Sequence, residues 1–94
     1  MSEVRLFGQL VCKTEDEANI VGLHLPLHIQ LTRAERGCVS FEVTRTDNLL
    51  IWSVVERFED EREFEAHQTR VARSAWGQAT AGIERRYQIE GLSC

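Results

Sequence analysis

Two stretches of this chain, Val4 to Cys12 and Leu49 to Phe58, are apolar on both faces when drawn as extended strands. In the first, Val4, Leu6, Leu10 and Cys12 lie on one face with Gly8, while Phe7 and Val11 lie on the other. In the second, Leu49, Leu50, Ile51, Trp52, Val54 and Val55 supply both faces. A strand without a polar face belongs in the middle of a sheet, where both sides are covered. Two further strands are more polar. Cys38 to Thr44 places Val39, Phe41 and Val43 inward and Ser40, Glu42 and Thr44 outward. Ile83 to Glu90 sets Arg85, Tyr87 and Ile89 against Glu84, Arg86, Gln88 and Glu90. Such alternation suits sheet edges.

Helices separate these strands. Thr14-Glu-Asp-Glu17 is a helix start, with a capping threonine, a glutamate three residues on, and acids at the positive end of the helix dipole. The helix is expected to run to about Arg33, kinked at Pro26, where a backbone donor is missing. It carries two apolar stripes: Ala18, Val21, Leu25 and Ile29 to cover the sheet, and Ile20, Leu23, Leu27 and Leu31 for a second partner. Asp60 and Glu63 have capping-box spacing and open a second helix, expected to extend to Thr80, loosened at Gly77 and ended by Gly82. Arg36-Gly37 reads as a turn, with Gly37 available for positive φ. Thr46-Asp47-Asn48 is turn chemistry that makes the second and third strands a hairpin.

The resulting order, β-α-β-β-α-β, predicts an α+β, ferredoxin-like (split βαβ) antiparallel sheet with two helices on one face. The first and third strands are central. The other sheet face also carries apolar residues, which predicts self-association. Ninety-four residues suit one domain, residues 1–94. At 43% hydrophobic and 28% charged, the chain reads as a globule rather than a disordered segment. Its net charge of -4, with acids interleaved among the basic residues, opposes nucleic-acid binding. No apolar run approaches the roughly 18 residues of a membrane span, and no signal-peptide core follows the N-terminus. Cys12, Cys38 and Cys94 are odd in number, lack Cys-x-x-Cys spacing and read as reduced thiols in a cytoplasmic protein, with Cys94 an exposed bystander.

Chemistry converges on Trp52 to His67. On a 3.6-residue repeat, Phe64, His67, Gln68, Val71 and Ala75 share one stripe, so His67 lies at the edge of the core-facing side, near the strand carrying Trp52 and Glu56. His67 there is either a working group or a hydrogen-bonded core histidine. Trp52 reads as core, and Glu56 as a buried ion-pair partner for an arginine rather than an acid catalyst. His24 and His28 stand one turn apart at metal-ligand spacing, but no third ligand accompanies them, and they read as polar residues between the stripes rather than a metal site.

Leu27-His-Ile-Gln-Leu-Thr-Arg-Ala-Glu-Arg-Gly-Cys38-Val-Ser-Phe-Glu-Val43, Glu56-Arg-Phe-Glu-Asp-Glu-Arg-Glu-Phe-Glu-Ala-His-Gln68 and Ala75-Trp-Gly-Gln-Ala-Thr-Ala-Gly-Ile83 together resemble the antibiotic biosynthesis monooxygenase family. Arg36 departs from the proline that usually precedes this glycine in the family. The resemblance implies a dimeric α+β barrel, two sheets packed face to face, with a pocket in each subunit between sheet and helices. It implies cofactor-independent oxidation, by dioxygen, of a quinol or other phenolic or polycyclic aromatic substrate. The haem-cleaving branch is set aside, because the first strand lacks its asparagine and His67 falls about where that branch carries tryptophan.

On that resemblance, His67 is the expected base. Trp52, Phe64 and Trp76 are expected to line a pocket for a flat aromatic substrate, with Tyr87 or Arg70 stabilising its anion and His28 as a secondary pocket residue. No cofactor is expected, and the partners are the small aromatic substrate, dioxygen and a second copy of the chain. A non-catalytic small-molecule binder or a structural dimer module on the same scaffold is the alternative.

Overall fold

The computed structural model describes residues 2–93; Cys94 lies outside them. Four strands, β1 (Val4–Val11), β2 (Cys38–Arg45), β3 (Ile51–Phe58) and β4 (Glu84–Glu90), form one antiparallel sheet in the order β2-β3-β1-β4. The strands apolar on both faces are the central pair and the polar ones are the edges, as their patterning requires. Helix α1 (Glu15–Arg33) joins β1 to β2; α2 (Glu61–Arg73) and a short α3 (Ala75–Ala79) join β3 to β4. Val21 and Leu25 of α1, Phe64 of α2 and Trp76 of α3 join Leu6, Leu10, Phe41, Val54 and Phe58 in a single core, so all three helices cover the same sheet face. Each large side chain buried there contributes roughly 1.5–3 kcal/mol. Among the described residues, no helix is long and apolar enough to cross a membrane.

Local signals place the helices. The Thr14 hydroxyl accepts the Glu17 N–H, and the Glu17 carboxylate reaches back to the Lys13 N–H at 2.7 Å. Helix α1 continues unbroken through Pro26, whose ring lies on an exposed side. At α2, Asp60 Oδ1 accepts the Glu63 N–H at 2.9 Å. Glu63 does not close the capping box, because its carboxylate turns to Arg36 instead.

Four expectations need correction. Val39 does not point inward: it is 46% exposed, because a β-bulge inserts it between Cys38, opposite Phe58, and Ser40, opposite Arg57. The extra residue rotates Cys38 onto the face of Phe41 and Val43, where it packs against the core. The second helix is two helices. Ser74 is extended (ψ 164°), and its hydroxyl caps α3 by accepting the Gly77 N–H. The break therefore falls three residues before the glycine expected to loosen the helix. Gly37 does not use positive φ; it is needed because a Cβ there would collide with the Glu63 side chain. The third strand starts at Ile51, leaving Leu49 67% exposed in the preceding turn. That turn is held by Asn48 Oδ1, which accepts the Leu50 N–H at 2.9 Å.

Gly8 has a φ of +154°, which suits only glycine, and a Cβ there would overlap the carbonyl of Arg86 in β4. The gap in β1 admits a neighbouring strand's backbone, and this brings Tyr87 and Arg85 in over the sheet. The outer stripe of α1 stays open: Leu23, Leu27 and Leu31 are 76%, 55% and 43% exposed. On the sheet face away from the helices, β1 and β3 place Phe7 opposite Val55 and Val11 opposite Ile51.

Candidate active site

Between the helices and the sheet lies a cavity of about 370 Å3. Leu6, Leu10, Val43 and Val54 form its apolar floor, and Val71 and Ala72 of α2 part of its roof. Its polar wall carries His28, Glu56, His67, Arg85 and Tyr87, with Trp76 alongside.

His67 reaches this wall through the phase of α2. The Asp60 cap sets the helix start, Phe64 enters the core against Phe58 (ring centroids 5.8 Å apart), and His67 follows nearly one turn later. It is 97% buried, and its ring lies 4.7 Å from that of Phe58. Nδ1 is 2.6 Å from Glu35 Oε1. A carboxylate only accepts, so Nδ1 carries the proton and Nε2 keeps its lone pair. The other Glu35 oxygen accepts Arg70 Nε at 2.9 Å, and Arg70 Nη2 donates to the Thr32 hydroxyl at 3.0 Å. The chain Thr32–Arg70–Glu35–His67 thus ties the end of α1 to α2 and fixes the imidazole's tautomer and tilt. The free Nε2 lies 3.8 Å from Glu56 Oε1.

Burial sets the charges. It lowers the His67 pKa, against the raising effect of the Glu35 hydrogen bond. It pushes the Glu56 carboxyl up to about 7, and the nearby charge of Glu35 adds to that. It also drives His28 down to about 3, assisted by His67 when that ring is protonated and by the charges of Arg70 and Arg85, and raises Tyr87 to about 12. His28 stacks on Trp76 with centroids 4.4 Å apart and planes 3° from parallel, and its buried Nδ1 has no hydrogen-bond partner. Arg85 is held to the end of α3: its Nη1 donates to the Thr80 carbonyl at 2.6 Å and its Nη2 to the Thr80 hydroxyl at 2.8 Å.

Four of the seven residues singled out in the sequence, His67, His28, Trp76 and Tyr87, line one cavity. Arg70 stands behind His67, linked to it by Glu35. Phe64 and Trp52 are not part of the cavity wall. Phe64 fills the core beneath α2. Trp52 lies in β3 opposite Leu10, with the Arg45 guanidinium 4.5 Å above its ring. Glu56 is not an arginine's partner: the basic group facing it is His67, and Arg57, next in sequence, points to the other sheet face and pairs with Glu3. Glu35 escaped the sequence reading, since an isolated acid after a helix end carries no periodic signal. Arg85 shares a strand face with Tyr87 and was detectable on that ground. Among the described residues, no cluster of three or more His, Cys, Asp or Glu side chains is placed to hold a metal ion.

A four-stranded antiparallel sheet covered on one face by helices, with a cavity between the layers, defines a ferredoxin-like α+β domain with an internal site. The model of the antibiotic biosynthesis monooxygenase family matches residues 12–79, and the chain belongs to that family. Solved structures share the fold. Rv0793 from Mycobacterium tuberculosis aligns over 99% of this chain and 97% of its own, with a TM-score of 0.75 and 17% identity. MupZ from Pseudomonas fluorescens aligns over 95% of this chain and 67% of its own, with a TM-score of 0.79 and 16% identity. A conserved protein from Methanosarcina mazei Go1 covers 99% and 95%, with a TM-score of 0.70 and 21% identity. No curated protein matches the chain in sequence.

Proposed function

We propose that this chain is a cofactor-independent monooxygenase that oxidises a quinol or another phenolic or polycyclic aromatic with dioxygen. The observation that carries this reading is His67, with Nδ1 held by Glu35 at 2.6 Å and Nε2 left free on the wall of a cavity with an apolar floor. In such a reaction the substrate supplies the electrons. For an anthrone, the activated CH2 becomes C=O: one oxygen atom stays on carbon, and the other leaves as water with both hydrogens. The first demand on the protein is to take a proton, for which a neutral imidazole suits. The second is to hold the resulting anion, a role suited to Arg85 and Tyr87, which both line the cavity. The third is to keep water from the carbanion, which the apolar floor supports. The His28–Trp76 stack offers a flat surface for an aromatic ring.

The test is oxygen consumption with a panel of quinols and anthrones in the presence of a chelator. Uptake matched to oxidised product supports the reading. Tight ligand binding with no uptake across the panel would replace it with a binding role. Glu35→Gln gives a finer check. Loss of that charge removes what holds the His67 pKa up, so the acid limb of kcat/KM should move to lower pH and the rate should fall roughly tenfold, a part of a full base contribution. An unshifted acid limb would disconnect Glu35 from the base.

The same reading makes the functional unit a homodimer, its two sheets meeting through the face that carries Phe7, Val11, Ile51 and the 46%-exposed Val55. Sedimentation should then show a two-chain species, and a monomer at micromolar concentration would remove this part.

A further inference from the structure

We propose that Glu56 is a second catalytic group, the acid that delivers a proton to the departing oxygen atom. The proposal rests on the reaction just described and assigns it a residue that the base step leaves unused. Glu56 is 95% buried on the sheet side of the cavity, and among the described residues no arginine or lysine forms an ion pair with it. Its Oε1 faces His67 Nε2 across 3.8 Å. That gap is too wide for a direct hydrogen bond and of a size that one further atom can bridge. An oxygen placed about 2.8 Å from both atoms would subtend roughly a right angle between them. Both groups line the cavity, so the bridging oxygen can be the substrate's own. Burial, with the charge of Glu35 nearby, also keeps a proton on the carboxyl near neutral pH, as an acid catalyst requires.

With an anthrone, a substrate C–H proton passes to His67 Nε2 and leaves a carbanion. The carbanion transfers one electron to dioxygen, and the radical pair combines to form a C–O bond and a peroxide anion. That anion takes the proton from the imidazolium. His67 then removes the second hydrogen of the same carbon as the O–O bond breaks. The bonding pair of the C–H becomes the second bond of C=O. The O–O pair goes to the distal oxygen, which takes the Glu56 proton and leaves as water. The proton on His67 then returns to Glu56 across the same gap, and both groups regain their starting states.

Two readouts test this on the intact protein. The first needs no substrate: the titration of His67, followed by NMR of its ring protons, in wild type and Glu56→Gln. The groups that face the pair are Glu35, Arg70 and His28 around His67, and Glu35, Tyr87 and Arg85 around Glu56, and all are retained in the variant. If the two groups exchange a proton, the ionisation of Glu56 near pH 7 should appear in wild type as a separate step in the His67 ring shifts, and that step should be missing from Glu56→Gln. Titration curves of the same shape in the two proteins overturn the pairing.

The second readout is turnover of dithranol, an anthrone, with oxygen uptake and the organic hydroperoxide measured together. Glu56→Gln should slow formation of the C=O product about a hundredfold and let the substrate hydroperoxide accumulate, and Glu56→Asp should restore part of the rate. His67→Gln, by contrast, should suppress oxygen uptake itself. Wild-type rates without accumulated hydroperoxide in Glu56→Gln would overturn the acid role. Absence of uptake by the wild-type protein, with the Glu56 step still present in the His67 titration, would overturn the oxygenase reading and the delivery step with it while leaving the proton-exchanging pair in place.

Discussion

His67→Gln is expected to reduce oxygen uptake with a quinol substrate by about 100- to 10,000-fold, the usual contribution of a positioned general base. Glutamine occupies a similar volume and can hydrogen-bond Glu35, so the fold should survive. What is lost is the basic Nε2 on the cavity wall. The change should fall mainly on kcat, because the ring lies 97% buried at the edge of the cavity and its Nδ1 side is already taken by Glu35. A variant that raised KM alone would make His67 a binding group. A variant that oxidised the substrate at the wild-type rate would remove His67 from the chemistry.

The second large effect is on stability in acid. His28 is neutral in the folded protein, with its pKa driven from 6.5 to about 3 chiefly by burial. In the unfolded chain it takes up a proton as pH falls below 6.5, while the folded form resists until about 3. Between those values the unfolded state binds more protons, so stability drops as pH falls through that window. At about 1.4 kcal/mol per pH unit the loss is at most about 5 kcal/mol, since water entering the adjoining cavity would screen the charge. His67, also lowered by burial, acts in the same direction. Glu56 opposes both: with a folded pKa of about 7 against 4.5 unfolded, it favours folding most at low pH and loses that contribution as pH rises through 7.

Urea denaturation of wild type and His28→Phe at pH 7.5 and at pH 4 separates these terms. Phenylalanine keeps the stack on Trp76 and removes the buried, unpartnered Nδ1. The variant should therefore match or exceed the wild type at pH 7.5 and lose several kcal/mol less at pH 4. Parallel losses in the two proteins would show that His28 does not govern the acid transition.

The order of elements and the choice of central strands were legible in the sequence because they rest on local pattern. Apolar side chains on both faces of β1 and β3 leave no other place for those strands. Thr14 and Asp60 mark helix starts because their side chains satisfy N–H groups three residues on. The approach of His67 to the core followed from a helical repeat counted from Asp60. These are interactions within a few residues, and the chain carries them wherever it folds.

Tertiary structure alone decided the rest. The bulge at Val39 depends on how β2 registers against β3, which residues 38 to 44 cannot disclose by themselves. The break at Ser74 depends on a hydroxyl that caps one helix while its own backbone leaves another. The role of Glu35 appears only when the end of α1 lies against α2, 32 residues away in sequence from His67. Glu56 looked like half of an ion pair because a buried carboxylate needs a partner. The fold instead sets it across 3.8 Å from a neutral imidazole and sends the neighbouring Arg57 to the opposite face. A residue's local pattern sets the face on which it lies. The charges and hydrogen bonds it meets there come from distant parts of the chain, and they set its protonation and hence the chemistry open to it.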